Sequence, residues 1–352
     1  MIQHGRNPIL LARYLALAWC GLVIYGSLHP FSGWRDTGIS PFAFLEGGWP
    51  RYWTVFDLAI NVAVYLPLGF LLTLALDRLP GRFTAPVLAI LLAAGVSCGL
   101  ESLQTWLPSR VPSNLDLACN TLGGILGAIW AQYVGPRVFS RIAALEHRLI
   151  APIPHAELGM TLLGIWLLVP LSPETLLFGA GDLRQALGLS GAVPFAADSF
   201  AVIEASITAL NAIAVGLIVR QLLAHMRWAY IIVPLFLLLG LIVRTLASAI
   251  LINPDEALAW LTPGAQMGLM IAGLFLAVGL ALPATLRLML AALALMSATV
   301  LVNLAPPNPY SMAALADWRQ GHFLNFNGLT RLVGTLWPFL TLPFLLLTSR
   351  RT

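Results

Sequence analysis

Long apolar runs recur about ten times between residues 9 and 348, and they set what this chain can fold into. A helix needs roughly 20 apolar residues to cross the hydrocarbon of a bilayer, because each backbone N–H and C=O must find its partner within the segment. Runs of that length lie at 9–28, 56–76, 83–107, 115–134, 158–178, 200–223, 228–251, 265–282, 284–304 and 329–348, with only Pro283 between the eighth and the ninth. Hydrophobic residues fill 59% of the 352 positions and charged residues 10%, whereas a soluble domain carries roughly 25% charged residues. A surplus of this size has no soluble core to hide in. The expected fold is an all-α polytopic transmembrane bundle of about ten helices.

All nineteen basic residues are arginine, and the net charge is +4. No basic stretch is interleaved with aromatics, so a nucleic-acid partner is not indicated. The surplus fits loops that fix membrane topology. With the N-terminus inside, Arg6, Arg13, Arg78, Arg82, Arg137, Arg141, Arg148, Arg220, Arg227, Arg287, Arg350 and Arg351 face the cytoplasm, against Arg35, Arg51, Arg110, Arg184 and Arg319 outside. Arg244 and Arg331 fall within or at the edge of runs. This bias predicts cytoplasmic termini for a multi-pass membrane protein. The first run lacks an Ala-x-Ala-like cleavage site and reads as a retained helix. Cys20, Cys98 and Cys119 sit in apolar runs as small hydrophobes, so no disulfide or thiolate metal site is expected, and no cofactor motif is present.

The basic, proline-bearing stretch 135–156 divides the chain. A four-helix block (1–134) and a six-helix block (157–352) are expected on either side of this linker, without a visible internal repeat. The outer connections 30–55, 180–199 and 305–328 carry Trp34, Trp49, Trp53 and Trp318, residues that ordinarily anchor helix ends at the interface.

Polar residues gather at one depth of the first block. Asp57 and Asn61 share a face at the start of the second run, Glu101 and Gln104 share one at the end of the third, and Asp116 and Asn120 share one at the start of the fourth. Arg110 and Ser113 lie between the last two pairs. A start, an end and a start meet at the same membrane face, which the arginine bias makes the outer one. Carboxylates at membrane depth are retained with partners, and Arg110 and the amides are the expected ones. Asp57, Asn114 and Asp116 can equally be helix caps. Capping does not account for Glu101 and Gln104, near a helix C-terminus where the macrodipole disfavours an anion. Gly95-x3-Gly99, Gly123-x3-Gly127 and Gly69 offer close helix approach, and Pro67 interrupts the second helix.

The ordered series Ser27-Leu28-His29-Pro30, Asp57-x3-Asn61 with Pro67-Leu68-Gly69, Glu101-x2-Gln104, and Arg110-x2-Ser113-x2-Asp116-x3-Asn120-x2-Gly123-x3-Gly127 resembles the VanZ-like membrane domain over residues 28–134. The resemblance implies a bacterial cell-envelope protein; the family's founding member is linked to low-level resistance to the glycopeptide teicoplanin. It implies no established reaction. It carries interest in the polar positions onto Asp57, Asn61, Glu101, Gln104, Arg110, Asp116 and Asn120. The six-helix block departs from the family's short form.

In the second block, Glu204 and Arg244 fall at similar depth and are expected to pair as a lock between helices. His322, Asn325 and Asn327 precede the last run, either as the turn into that helix or as a headgroup-binding rim. Three functions are compatible with these features. The first is binding or handling of a membrane lipid, glycolipid or lipid-linked envelope precursor. The second is an enzyme using Asp57, Glu101 or Asp116 as general base on such a headgroup. The third is a transporter, for which a charge at the bilayer midplane is lacking.

Overall fold

The computed structural model describes residues 8–50, 53–172, 174–188, 194–306 and 324–349. Helices dominate it, and β-pairing among the described residues is a single isolated bridge between Ile150 and Leu223. The chain divides into two compact units, Met1–Glu146 and His147–Thr352. Among the described residues, seven helices are long and apolar enough to cross a membrane.

In the first unit the principal helices are α1 (Pro8–Leu28), α3 (Val55–Ala75), α4 (Thr84–Gln104) and α5 (Asn114–Leu149), with a short α2 (Ala43–Glu46) in the connection after α1. α1 packs on α3 and α4 around Val23, Tyr65, Leu68, Ala93 and Leu100. Lipid tails are as apolar as leucine, so packing of this kind depends on close contact and hydrogen bonds more than on hydrophobic burial. α3 and α5 meet backbone to backbone: a Cβ at Gly69 would strike Gly124, one at Gly123 would strike the Val62 carbonyl, and one at Gly127 would strike the Leu66 carbonyl, all closer than 3.0 Å. Gly95 and Gly99 face open space, so of the two expected glycine pairs only the one on α5 makes a helix contact.

α5 does not stop at the expected linker but continues to Leu149. Its arginines made 135–149 look like a connection. Arginine, alanine, leucine and glutamate are nevertheless good helix formers, and at 36 residues α5 reaches about 54 Å at 1.5 Å per residue, well beyond a bilayer core.

The second unit contains α6 (Ala156–Trp166), a short α7 (Arg184–Leu187), α8 (Ala197–Leu222), α9 (Met226–Leu251), α10 (Pro263–Gly279), α11 (Ala284–Leu304) and α12 (Leu324–Ser349). α8 is its axis: 78% of its apolar window is buried, where the other spans reach 22–39%. α10 and α11 lie along it, α10 approaching through Gly264 and Gly268 at Ala201, Ala205 and Thr208. On the far side of α10, Met270, Leu274 and Val278 form an exposed apolar stripe suited to lipid. Pro283 separates α10 from α11, as the sequence predicts.

The fifth expected span, 158–178, is only partly helical. α6 ends at Trp166, and a 3-10 turn at Val169–Leu171 carries Pro170, which cannot supply a helical N–H. An irregular stretch follows, anchored on Trp166, Phe178 and Trp337 in the unit's apolar core. α6 alone, at 11 residues or about 16 Å, is too short to cross.

A polar clasp fixes the turn before α7. Asn303 donates to the Gly181 carbonyl and accepts from the Leu183 N–H, Thr335 donates to the Asp182 carbonyl, and Arg184 pairs with Asp182 at 2.6 Å. Burial alone would raise the Asp182 carboxyl. Hydrogen bonds from the Arg184 side chain and backbone, with the charges of Arg184 and Arg331, outweigh it and hold the group below 3.8. A carboxyl depressed on folding contributes stability above its unfolded value and loses that contribution as pH falls through the folded one. Melting temperature is therefore expected to drop as pH falls below about 4, with a shallower drop in Asp182→Asn. Equal acid slopes in the two proteins would contradict the clasp.

Candidate functional site

At one end of the first unit, where α1 and α4 finish and α3 and α5 begin, polar side chains form a seam across α3, α4 and α5. Its middle layer has two contacts. The Asn61 amide donates to Asp116 Oδ1 at 2.8 Å, and Glu101 Oε2 accepts the Ser113 backbone N–H at 2.8 Å. One turn deeper, the Asn120 amide donates to the Ser97 hydroxyl at 2.9 Å, and the Tyr65 hydroxyl is buried without a hydrogen-bond partner among the described residues. Glu101, Ser97, Asn120 and Tyr65 are buried, while Asn61 and Asp116 are half-buried.

Local sequence explains each position. On α3, Asp57, Asn61 and Tyr65 follow one another at four-residue steps, as do Ser97 and Glu101 on α4 and Asp116 and Asn120 on α5. Ser113 caps α5, its hydroxyl accepting from the Leu115 and Asp116 N–H groups. Its own N–H therefore points back from the helix start and reaches Glu101. That contact resolves the apparent conflict of an acid at the end of α4: the carboxylate serves the N-terminus of α5, where an anion is favoured.

The structure places the other expected residues in capping roles. Asp57 is exposed and forms a capping box with Thr54, accepting its N–H at 3.1 Å and its hydroxyl at 2.7 Å. Gln104 donates to the Ser27 carbonyl. Arg110 was expected to neutralise the carboxylates. Instead it donates from Nε and Nη2 to the His29 carbonyl and from Nη2 to the Gly26 carbonyl. A carbonyl of the last turn of α1 and the one just beyond the helix are thereby satisfied, with a cation at the negative end of the helix. Burial lowers the Arg110 pKa from its usual value. The ion pairs among the described residues, Arg184 with Asp182 and Arg331 with Glu174, both lie in the second unit. The connection after α1 is held over this end by Arg35 N–H to the Trp106 carbonyl, the Thr37 hydroxyl to the Thr105 carbonyl, and the Asn114 amide to the Gly47 carbonyl.

Ser97 and Tyr65 were not anticipated. Each lies inside an apolar run, but each is four residues from an expected member, Glu101 and Asn61 respectively, and that spacing was the available signal.

In the second unit, Glu204 and Arg244 are both buried and sense each other's charge. Arg244 spends hydrogen bonds on the Ser172 and Thr175 carbonyls, and Glu204 lies against Gly264 at the start of α10. They tie down the irregular stretch after α6 and the start of α10. His322 and the side chains of Asn325 and Asn327 lie outside the described residues.

Fold and seam together define a multi-pass, all-α membrane protein with an acid and amide cluster at one end of its N-terminal unit. Residues 13–135, about a third of the chain, match the VanZ/LLP1 family model, a stretch that takes in most of α1 and the whole seam. No curated protein and no solved structure matches the chain.

Proposed function

We propose that the N-terminal unit binds the polar headgroup of a lipid, glycolipid or lipid-linked envelope precursor at the outer face of a bacterial cytoplasmic membrane, and that a role in glycopeptide resistance follows from handling that molecule. One observation carries this reading. Asp116 and Glu101 receive hydrogen bonds from neutral groups, while the guanidinium at the same end is engaged by carbonyls. The carboxylates keep acceptor capacity at membrane depth, where they are costly unless used. A ligand rich in donors, such as sugar hydroxyls or an ammonium group, matches that capacity, and charge-assisted hydrogen bonds to it are the strong kind.

The similarity to VanZ/LLP1 supports an envelope setting, and the arginine bias supports an outward-facing seam. The test is mass spectrometry of lipids retained by the purified full-length protein. Asp116→Asn and Glu101→Gln are expected to lower recovery of the bound species about tenfold, equivalent to ~1.4 kcal/mol. Asp57→Ala removes only a cap, at a cost of about 1 kcal/mol in stability, and is expected to retain the lipid. Identical profiles for wild type, Asp116→Asn and Glu101→Gln would remove the proposal.

A further inference from the structure

A second polar cluster lies in the other unit, and no function above uses it. Arg220 occupies the last turn of α8, donating from Nε to the Leu280 carbonyl at 3.1 Å and from Nη1 to the Leu223 carbonyl at 3.0 Å. Arg287 occupies the first turn of α11, donating from Nη1 to the Leu282 carbonyl at 2.5 Å and from Nη2 to Gln221 Oε1 at 3.0 Å. Both guanidiniums thus hold the short connection between α10 and α11 and sense each other's charge. Their hydrogen-bond acceptors are neutral, and neither ion pair among the described residues involves them.

This arrangement is unfavourable as it stands. Like charges face each other, and Arg287 puts a cation at the positive end of a helix dipole. Arg287 is 9% exposed, and its Nε has no hydrogen-bond partner among the described residues. Arg220 supports a helix C-terminus, which accounts for one guanidinium but not for the second.

We propose that Arg220 and Arg287, with Gln221 and the first turn of α11, form a binding site for the phosphate of an anionic lipid headgroup. A phosphate supplies the missing counter-charge, takes N–H donors from a helix start, and suits paired guanidiniums in geometry. The surroundings set its source. Arg148 and Arg227 flank the Trp228 ring at 6.0 and 5.2 Å, and Tyr230, whose hydroxyl bonds the Ala277 carbonyl, lies close enough to act on Arg220. Tryptophan, tyrosine and arginine together mark headgroup depth. The arginine bias assigns this end to the cytoplasmic leaflet.

The experiment uses full-length protein in detergent, with phosphatidylglycerol, phosphatidylcholine or inorganic phosphate added, read by native mass spectrometry and thermal melting. Wild type is expected to retain phosphatidylglycerol in preference to phosphatidylcholine. Arg220→Gln, at a half-buried position, is expected to lower phosphatidylglycerol retention about tenfold and leave phosphatidylcholine adducts unchanged. Arg220→Lys keeps the charge and should retain most of the binding, so the result stands even if Arg287→Gln does not fold. Equal phosphatidylglycerol retention in wild type and Arg220→Gln would overturn the site. Inorganic phosphate matching the lipid's melting shift would overturn its assignment to a lipid.

Discussion

Gly127→Leu is expected to destroy the packing of α3 on α5 and, with it, the seam. A Cβ at residue 127 meets the Leu66 carbonyl, the Phe70 nitrogen and the Leu66 carbonyl carbon, all backbone atoms within a helix that cannot step aside. Overpacking costs about 1–3 kcal/mol where side chains can rearrange, and backbone contact puts this case at or above about 3 kcal/mol. The helices must separate, and the Asn61–Asp116 contact, at 2.8 Å, is lost with them. Gly95→Leu is the matched comparison, because a Cβ there meets nothing within 4 Å and the substitution also improves helix propensity. Thermal melting and retained lipid should fall together for Gly127→Leu and stay unchanged for Gly95→Leu. Similar behaviour of the two variants would mean that the close approach of α3 and α5 does not hold the unit.

Arg244→Leu is expected to have an effect of comparable size in the second unit. The substitution abandons the Ser172 and Thr175 carbonyls and leaves the buried Glu204 without the nearby positive charge. Removing one partner from a buried charged network costs about 3–5 kcal/mol, largely through the group left behind. For a unit of this size the melting temperature should fall on the order of 10 °C. Glu204→Gln should cost less, since the amide keeps the side-chain volume packed against Gly264 and leaves no buried carboxylate charge to compensate. Equal melting of Arg244→Leu and wild type would show that the irregular stretch after α6 is held by its aromatic anchors alone.

The membrane bundle was legible in the sequence because length and apolarity impose a simple threshold: each of the ten runs holds a helix, although among the described residues seven helices are long and apolar enough to cross. The break after Trp166 was not legible. Hydropathy scores side chains, whereas the interruption is a backbone event at Pro170, and the freed region is stabilised by a guanidinium that arrives from α9. The length of α5 was missed for a related reason: its charged second half is as polar as a loop but retains helix-forming residues.

At the seam, helix periodicity places Asn61, Glu101, Asp116 and Asn120 at one end of the unit, with Ser113 in the connection before α5. It could not show which partner Arg110 takes. Charge alone favours a carboxylate, but the C-terminus of α1 presents carbonyls that have no other donor within the helix, and the chain path from Leu107 to Ser113 delivers the guanidinium to them. Ser97 and Tyr65 follow from the same four-residue spacing once hydroxyls inside an apolar run are treated as members of a polar face.

The central claim, that the seam selects a lipid headgroup, is tested most directly by photocrosslinking in native membranes. A photoreactive amino acid replaces Asp57 at the exposed rim of the seam, and in a second protein it replaces Leu91, 61% exposed on the outer face of α4. The adduct at position 57 should be enriched in one headgroup class over the bulk membrane, and the adduct at position 91 should mirror the bulk. Bulk lipid composition at both positions would contradict the claim.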